Sequence, residues 1–340
     1  MGRKDFRGEV WTTVHPDILK RIVAVNDEAV DGGNGNDGHS RHAVELMQSF
    51  FKERIWTTYA INGTAANILA LKSMLPRNGC IVCASQTHVT THECGAFEYT
   101  LGCKILECEC DDGKLTTDAL AARLKAAARY GYVPQVVVIT QPTEFGTMYS
   151  LDELKALCDY AHSREMAVYI DGARIGNAVA ALNVTLSEMI EGTGVDAFSW
   201  GATKAGAMFG EMVVFRREEW GANLPYLQKQ SMQHLDKSQF LGIQAEYLLE
   251  SGLWLENARL ANQAAKHLET RLKQIGIPLR YSVETNMVFC ILTPEQLKAV
   301  TQVFDAHYWD EPTHVVRLAC TYLTSDEVID TLVAQRKPQA

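Results

Sequence analysis

Val195-Asp196-Ala197-Phe198-Ser199-Trp200-Gly201-Ala202-Thr203-Lys204-Ala205-Gly206 passes from an apolar run into small residues grouped around one long amine. The apolar part has the length of a buried strand, and the small residues after it leave Lys204 room to reach a ligand. Upstream, Ala167-Val168-Tyr169-Ile170 has the same texture and ends in Asp171-Gly172-Ala173-Arg174. Outward from this pair, short apolar runs alternate with helical patterns between about Ile55 and Phe215. Strands are expected over 55–61, 80–84, 103–107, 135–140, 167–171, 195–200 and 211–215. Val136-Val137-Val138-Ile139 is apolar throughout, as a strand covered on both faces should be. Ser150-Leu151-Asp152-Glu153 is a capping-box pattern, with Leu154, Leu157, Cys158 and Ala161 following at helical spacing. The alternation predicts an α/β fold with a mostly parallel seven-stranded sheet and helices on both faces. Ligands of such sheets bind beyond the carboxyl ends of the strands, where Asp171 and Lys204 both fall.

After Phe215 the texture changes. Residues 220–274 read as largely helical, with Gly242 and Gly252 as interruptions. A smaller α+β pattern follows: a strand over 286–292, a helix opened by Thr293-Pro294-Glu295-Gln296, and a strand over 314–318. A last helix starts at Thr324-Ser325-Asp326-Glu327 and turns Val328, Ile329, Leu332 and Val333 to its apolar side. The expected division is a large unit over 15–245 and a small one made of 1–14 and 246–340. Asp31–Gly38 is the one glycine-rich irregular stretch, either a linker or a loop over the site.

Bulk properties exclude several classes. With 47% hydrophobic and 21% charged residues, the composition is that of a soluble globular protein, and no apolar run approaches the roughly 20 residues of a membrane span. Met1-Gly2-Arg3-Lys4-Asp5-Phe6-Arg7-Gly8 has no apolar core, so no secretory signal is expected. Nine cysteines, an odd number, suit reduced thiols in a cytoplasm better than a disulfide framework. A net charge of −9 argues against a nucleic-acid partner.

The chemistry centres on Lys204 and Asp171. A lysine amine that carries an aldehyde cofactor, and an acid that keeps a pyridine nitrogen protonated, are what pyridoxal phosphate requires. Asn62-Gly63-Thr64-Ala65-Ala66-Asn67 follows the first expected strand and opens a helix, aiming free amides and a hydroxyl at one spot, a cradle for phosphate or simply a cap. Thr203 is either a second phosphate contact or a cap. In Thr87-His88-Val89-Thr90-Thr91-His92-Glu93, His88 could stack on a cofactor ring and Glu93 could move a proton through a water; alternatively His88 caps a helix and His92 faces solvent. Cys80 and Cys83 with His88 and His92 superficially resemble a zinc set, but a strand turns the two thiols to opposite faces, and no metal is expected. Arg174 and Arg317 are candidates to grip a carboxylate in two-pronged fashion, or halves of ordinary ion pairs.

With these residues in place, the chain resembles, almost end to end, the threonine aldolase and β-eliminating lyase family of pyridoxal-phosphate enzymes of aspartate-aminotransferase fold (fold type I). The likeness rests on Gly63-Thr64 with Asn67, His88 with Glu93, Asp171-Gly172-Ala173-Arg174, Gly201-Ala202-Thr203-Lys204 and Val316-Arg317-Leu318. Thr143-Glu144-Phe145-Gly146-Thr147-Met148-Tyr149 resembles one branch; the better-known branch has a histidine near Glu144. The resemblance implies that Lys204 holds the cofactor, Asp171 pairs with its ring nitrogen and His88 stacks on the ring. It implies phosphate contacts from Gly63, Thr64 and Thr203, and a substrate carboxylate held by Arg174 and Arg317, with Arg174 also near the ring hydroxyl. It further implies a homodimer or homotetramer with active sites at subunit interfaces. The chain departs from the family pattern at Gly8-Glu9, where Ser-Asp or Asn-Asp is usual, at Asn34 in place of a tyrosine before Gly35, and at Ser231 in place of an arginine; Asp37 and His39 match.

The expected reaction is retro-aldol cleavage of an L-3-hydroxy-2-amino acid such as threonine to glycine and an aldehyde. His88, or a water held by Glu93, is expected to take the 3-hydroxyl proton. β-Elimination and racemisation require the same lysine and acid and remain alternatives, as does a relative that binds cofactor without turnover.

Overall fold

The computed structural model describes residues 4–29, 31–76 and 79–335; Met1–Arg3, part of the stretch read for a leader, lie outside them. In chain order the strands are β1 (Lys4–Asp5), β2 (Trp56–Ala60), β3 (Cys80–Ala84), β4 (Lys104–Cys108), β5 (Pro134–Thr140), β6 (Ala167–Asp171), β7 (Ala197–Gly201), β8 (Glu211–Phe215), β9 (Met287–Ile291), β10 (Phe304–Asp305), β11 (Tyr308–Asp310) and β12 (Val315–Ala319). The seven strands expected between Ile55 and Phe215 all form, with ends displaced by at most two residues, and they make one sheet in the order β2-β8-β7-β6-β5-β3-β4. From β7 to β4 the pairing is parallel, while β8 runs antiparallel to both β7 and β2. The short link between β7 and β8 explains the reversal, because a parallel crossover needs a dozen residues or more.

Side-chain alternation divides the sheet's core into two layers. Val137, Ile139, Val168, Ile170, Phe198 and Trp200 pack on one face, and Val136, Val138, Tyr169, Ala197 and Val213 on the other. Cys80 belongs to the first layer and Cys83 to the second, which removes the zinc arrangement. Among the described residues, no group of three or more His, Cys, Asp or Glu side chains could hold a metal ion, and the nine cysteines are free thiols. No described helix is long and apolar enough to cross a membrane.

The expected helical region after Phe215 resolves into shorter helices and then Gln239–Ser251 and Leu253–Gln274. Gly252 does separate the last two, with φ +70. Gly242 does not interrupt anything. It sits inside the Gln239–Ser251 helix, where a Cβ would fall 2.5 Å from the Ser40 amide nitrogen, so its role is close packing on the Gly38–Ser49 helix. Asp31–Gly38 is a folded loop: Asp37 caps the Gly38–Ser49 helix, and the Gly35 amide donates to Ser238 Oγ at 2.6 Å.

The C-terminal part contains an antiparallel sheet, β11-β12-β9, over its own apolar cluster of Leu268, Leu272, Val288, Val316, Leu318 and Ile329. The beginning of the chain joins it. β1 pairs in parallel with β10, and the Ala319 amide donates to the Phe6 carbonyl at 2.8 Å. That seam carries residues 7–12 across the end of the large sheet where Lys204 lies.

Candidate active site

β6 and β7 are parallel neighbours, so their carboxyl ends emerge side by side. The turns that follow them interlock. A Cβ on Gly172 would stand 2.1 Å from the Ser199 carbonyl oxygen, and one on Gly201 2.2 Å from that of Ala173. Only glycine allows so close a passage. The Gly172 amide donates to Ser199 Oγ at 3.0 Å and the Gly201 amide to the Gly172 carbonyl at 3.2 Å. Asp171 and Lys204, which flank this crossing, both open onto one cavity of about 190 Å³. Gly63, Thr64, His88 and Thr203 line the same cavity, so six of the nine singled-out residues are brought together.

Behind the cavity wall runs a chain of buried polar groups. The Tyr169 hydroxyl donates to Asn67 Oδ1 at 2.7 Å, and Asn67 Nδ2 donates to Asp171 Oδ2 at 2.9 Å and to Glu93 Oε1 at 3.3 Å. Asp171 Oδ1 also accepts from the Ala173 amide at 3.1 Å. Tyr169 and Asn67 thus hold the Asp171 carboxylate in one orientation. His88 Nδ1 lies 2.7 Å from the same Glu93 oxygen. Burial works against a charged His88, but the Glu93 hydrogen bond and the carboxylates of Asp171 and Glu144 outweigh it and raise the imidazole above its ordinary range. Glu93 itself has a fully buried side chain and does not reach the cavity. Its position is that of a support behind His88.

Withdrawal from water, and then the Arg174 guanidinium, lower the Lys204 ammonium below the usual lysine range; Glu144, Glu9 and Asp171 oppose this in part. A lysine shifted this way presents more free amine at neutral pH, as a nucleophile toward an aldehyde must. Opposite it, Asn62 caps the Gly63–Met74 helix by accepting from the Ala65 amide at 2.9 Å. The amides of Gly63 and Thr64 precede the first intrahelical acceptor and face outward at the positive end of the helix. Beside Thr203, Glu211 accepts from the Ala202 amide at 2.7 Å, and burial pushes its carboxyl up to about 7.

The two arginines are placed differently. Arg174 makes a two-pronged pair with Glu9 (Nε to Oε1 2.8 Å, NH2 to Oε2 3.1 Å), both side chains are buried, and Asn286 Nδ2 adds a hydrogen bond to Glu9 at 2.6 Å. Burial alone would raise the Glu9 carboxyl; the Arg174 charge and hydrogen bond instead hold it at about 2. Among the described residues, Arg317 has no carboxylate partner. Its guanidinium lies 4.5 Å from the centre of the Trp309 ring and donates to the Arg7 carbonyl at 3.2 Å. Trp309 also stacks on His92, and His92 on His88, which ties the C-terminal sheet to the cavity wall. At the departure Gly8-Glu9, Gly8 adopts φ +124, a conformation that L side chains rarely take, so glycine there suits the backbone path that delivers Glu9 to Arg174. At Ser231, the hydroxyl accepts from Lys72 Nζ at 3.3 Å.

Glu144 and Glu211 were not singled out as site residues from the sequence, although both line the cavity. Glu211 had a readable signal, an acid at the first position of the otherwise apolar run Glu211–Phe215. Glu144 had little, because it lies in a loop whose course depends on contacts far along the chain. The Glu9–Arg174 pair spans 165 residues and left no local trace.

A family model described as beta-eliminating lyase matches residues 5–295. A low specificity L-threonine aldolase from Pseudomonas sp. is 33% identical over 97% of this chain and 96% of its own length, and one from Pseudomonas aeruginosa is 34% identical over 87% and 86%. A solved structure of Leishmania major threonine aldolase superposes with a TM-score of 0.91 at 27% identity, covering 97% of each chain.

Proposed function

The chain belongs to the beta-eliminating lyase family, and from that membership we propose that it is a pyridoxal-phosphate-dependent aldehyde lyase that splits L-3-hydroxy-2-amino acids, L-threonine among them, into glycine and an aldehyde. The observation that carries this reading is the opening of the Lys204 amine and the Asp171 carboxylate onto one cavity, with His88 and the Gly63-Thr64 helix start in its wall. The donor set suits the cofactor. It combines a depressed amine for an aldehyde, a buried carboxylate for a ring nitrogen, an imidazole for a ring face, and helix-start amides for a phosphate. Glu211, kept neutral below about pH 7 by burial, can stand near that phosphate without repelling it.

When bound, the cofactor supplies an electron sink for the bond that breaks. The protein's own residues decide which bond that is. Arg317, with no carboxylate partner among the described residues, would grip the substrate carboxylate and so turn the C2–C3 bond into the position from which it cleaves. Arg174, occupied by Glu9 in this structure, would position the substrate side of the site and reach a ring hydroxyl with its remaining N–H groups. Asn67 and Tyr169 would keep Asp171 aimed, and Glu93 would keep His88 flat against the ring.

The division of the chain into 15–245 and 1–14 with 246–340 belongs to the same proposal, supported by the pairing of β1 with β10. So does a homo-oligomer with its site at the subunit interface. Val10, which lines the cavity, is 62% exposed and Trp11 beside it 59%.

Purified protein loaded with pyridoxal phosphate is expected to release acetaldehyde and glycine from L-threonine, and Lys204→Ala is expected to release neither. Formation of a 2-oxo acid and ammonia alone, or of the D-isomer alone, would overturn the aldolase reading. A cofactor spectrum that responds to no amino acid would favour a binder without turnover.

A further inference from the structure

We propose that Glu144 is the base that takes the proton from the substrate's 3-hydroxyl, an inference that rests on the aldolase reading above. Retro-aldol cleavage needs such an acceptor at the cavity, and the carboxylates and imidazole in or near it differ in how far they are already committed. Asp171 is held by Asn67 and the Ala173 amide, Glu9 by both prongs of Arg174, and Glu211 by the Ala202 amide. Glu93 is spent on His88 and lies behind the wall. His88 has its Nδ1 committed to Glu93 and its ring stacked on His92. Glu144 lines the cavity, is 6% exposed, and its carboxylate accepts no hydrogen bond from the described residues.

Its loop is built to hold it still. Thr140, at the end of β5, pairs in register with Asp171, and Glu144 follows four residues later, so the two carboxylates rise from adjacent strand ends. The turn is clamped by the Thr143 and Thr147 hydroxyls at 2.6 Å and by the Thr143 amide donating to the Thr147 carbonyl at 2.8 Å. It is anchored from outside by Thr285 Oγ1 donating to the Gly146 carbonyl at 2.8 Å, and Thr147 Oγ1 donating to the Asp112 carbonyl at 2.7 Å. A proton acceptor positioned in this way loses little orientation on binding.

The surroundings couple its basicity to the substrate. Burial raises the Glu144 carboxyl, but Arg174, Lys204, His88 and Arg317 face it and together hold it below the ordinary range. A substrate carboxylate held by Arg317 would neutralise one of those charges. The carboxylate then binds a proton more tightly when there is one to take. In the step itself the O–H proton passes to the Glu144 carboxylate and the oxygen's electron pair becomes the second C–O bond of the aldehyde. The C2–C3 pair remains with C2, which later receives a proton to give glycine.

The test separates the 3-hydroxyl step from everything else the site does. Exchange of the glycine α-hydrogen with deuterated solvent uses the same lysine, acid and cofactor but involves no 3-hydroxyl. In Glu144→Gln, kcat for L-threonine cleavage is expected to fall by about 10²–10⁴-fold. Cofactor loading, read from the visible spectrum, and glycine exchange should stay within a few-fold of wild type. The acid limb of the cleavage pH profile should disappear, and Glu144→Asp should recover part of the rate. Cleavage by Glu144→Gln at the wild-type rate overturns the inference, as does a parallel loss of cleavage, exchange and loading, which would make Glu144 a structural group. A wild-type protein that exchanges glycine yet cleaves no 3-hydroxy amino acid defeats the aldolase reading itself.

Discussion

Where β6 and β7 end, Gly172 and Gly201 leave no room for a Cβ, Asp171 is oriented by Asn67, and Arg174 is locked to Glu9 with both side chains buried. Toward the C-terminal sheet, Arg317 rests against the Trp309 ring and, among the described residues, has a hydrogen bond to a backbone carbonyl and no carboxylate. The same side-chain type is a structural tie in one place and an unclaimed cation in the other. Interlocked backbone holds the amine and the carboxylate that the proposed cofactor would need. On the proposed function, a looser flank holds the group that would bind the substrate carboxylate and orient it. Substitutions on the two sides should therefore register in different measurements, stability for the first and KM for the second.

The largest effect is expected from Arg174→Ala, which leaves the Glu9 carboxylate buried without its partner. Urea denaturation of the apoprotein should show a loss of about 3–5 kcal/mol. A loss no greater than that of an exposed ion pair, about 1 kcal/mol, would break the contrast. Next is Glu211. Its carboxyl is raised from 4.5 to about 7 in the fold, so the protein holds that proton more tightly than the unfolded chain does. Its contribution is complete below about pH 4.5 and is lost as pH rises through about 7, by roughly 3 kcal/mol. Apoprotein denatured at several values between pH 4.5 and 8 should show this decline, and Glu211→Gln should flatten it. An unchanged pH slope in the variant would mean that another group titrates. The smallest effect belongs to Arg317→Ala. It should raise KM for L-threonine by the worth of a charge-assisted hydrogen bond, about 1.5–3 kcal/mol or roughly ten- to a hundredfold. The melting temperature should stay near that of the wild type. A large stability loss there would erase the distinction between the two sides.

The large sheet was legible because its strands are short, apolar and bounded by turn residues, and each property is local. Their spatial order was not, since β8 sits between β2 and β7 for reasons of link length and pairing that no periodicity records. At the site, Asp171, Lys204 and the Gly63-Thr64 turn were readable as residues at strand ends. Glu144 was not, because its loop is anchored to Thr285 and to Asp112, far from it in the chain. Gly242 was misread as a break because the sequence alone gives no sign of Ser40 packed against it. In each miss the deciding contact is distant in the chain.

Glu9 draws one donor from Arg174 and another from Asn286, and the strand before it pairs with Phe304–Asp305. The segment around Glu9 thus lacks two of its partners until residues about 280–300 positions further along the chain have been made. Until then, the lysine at 204 lacks the N-terminal segment that bounds its surroundings, and a growing chain presents an unfinished receptacle to free aldehyde. On the proposed function, removal of residues 304–340 should weaken retention of pyridoxal phosphate although none of the residues proposed to hold it is removed.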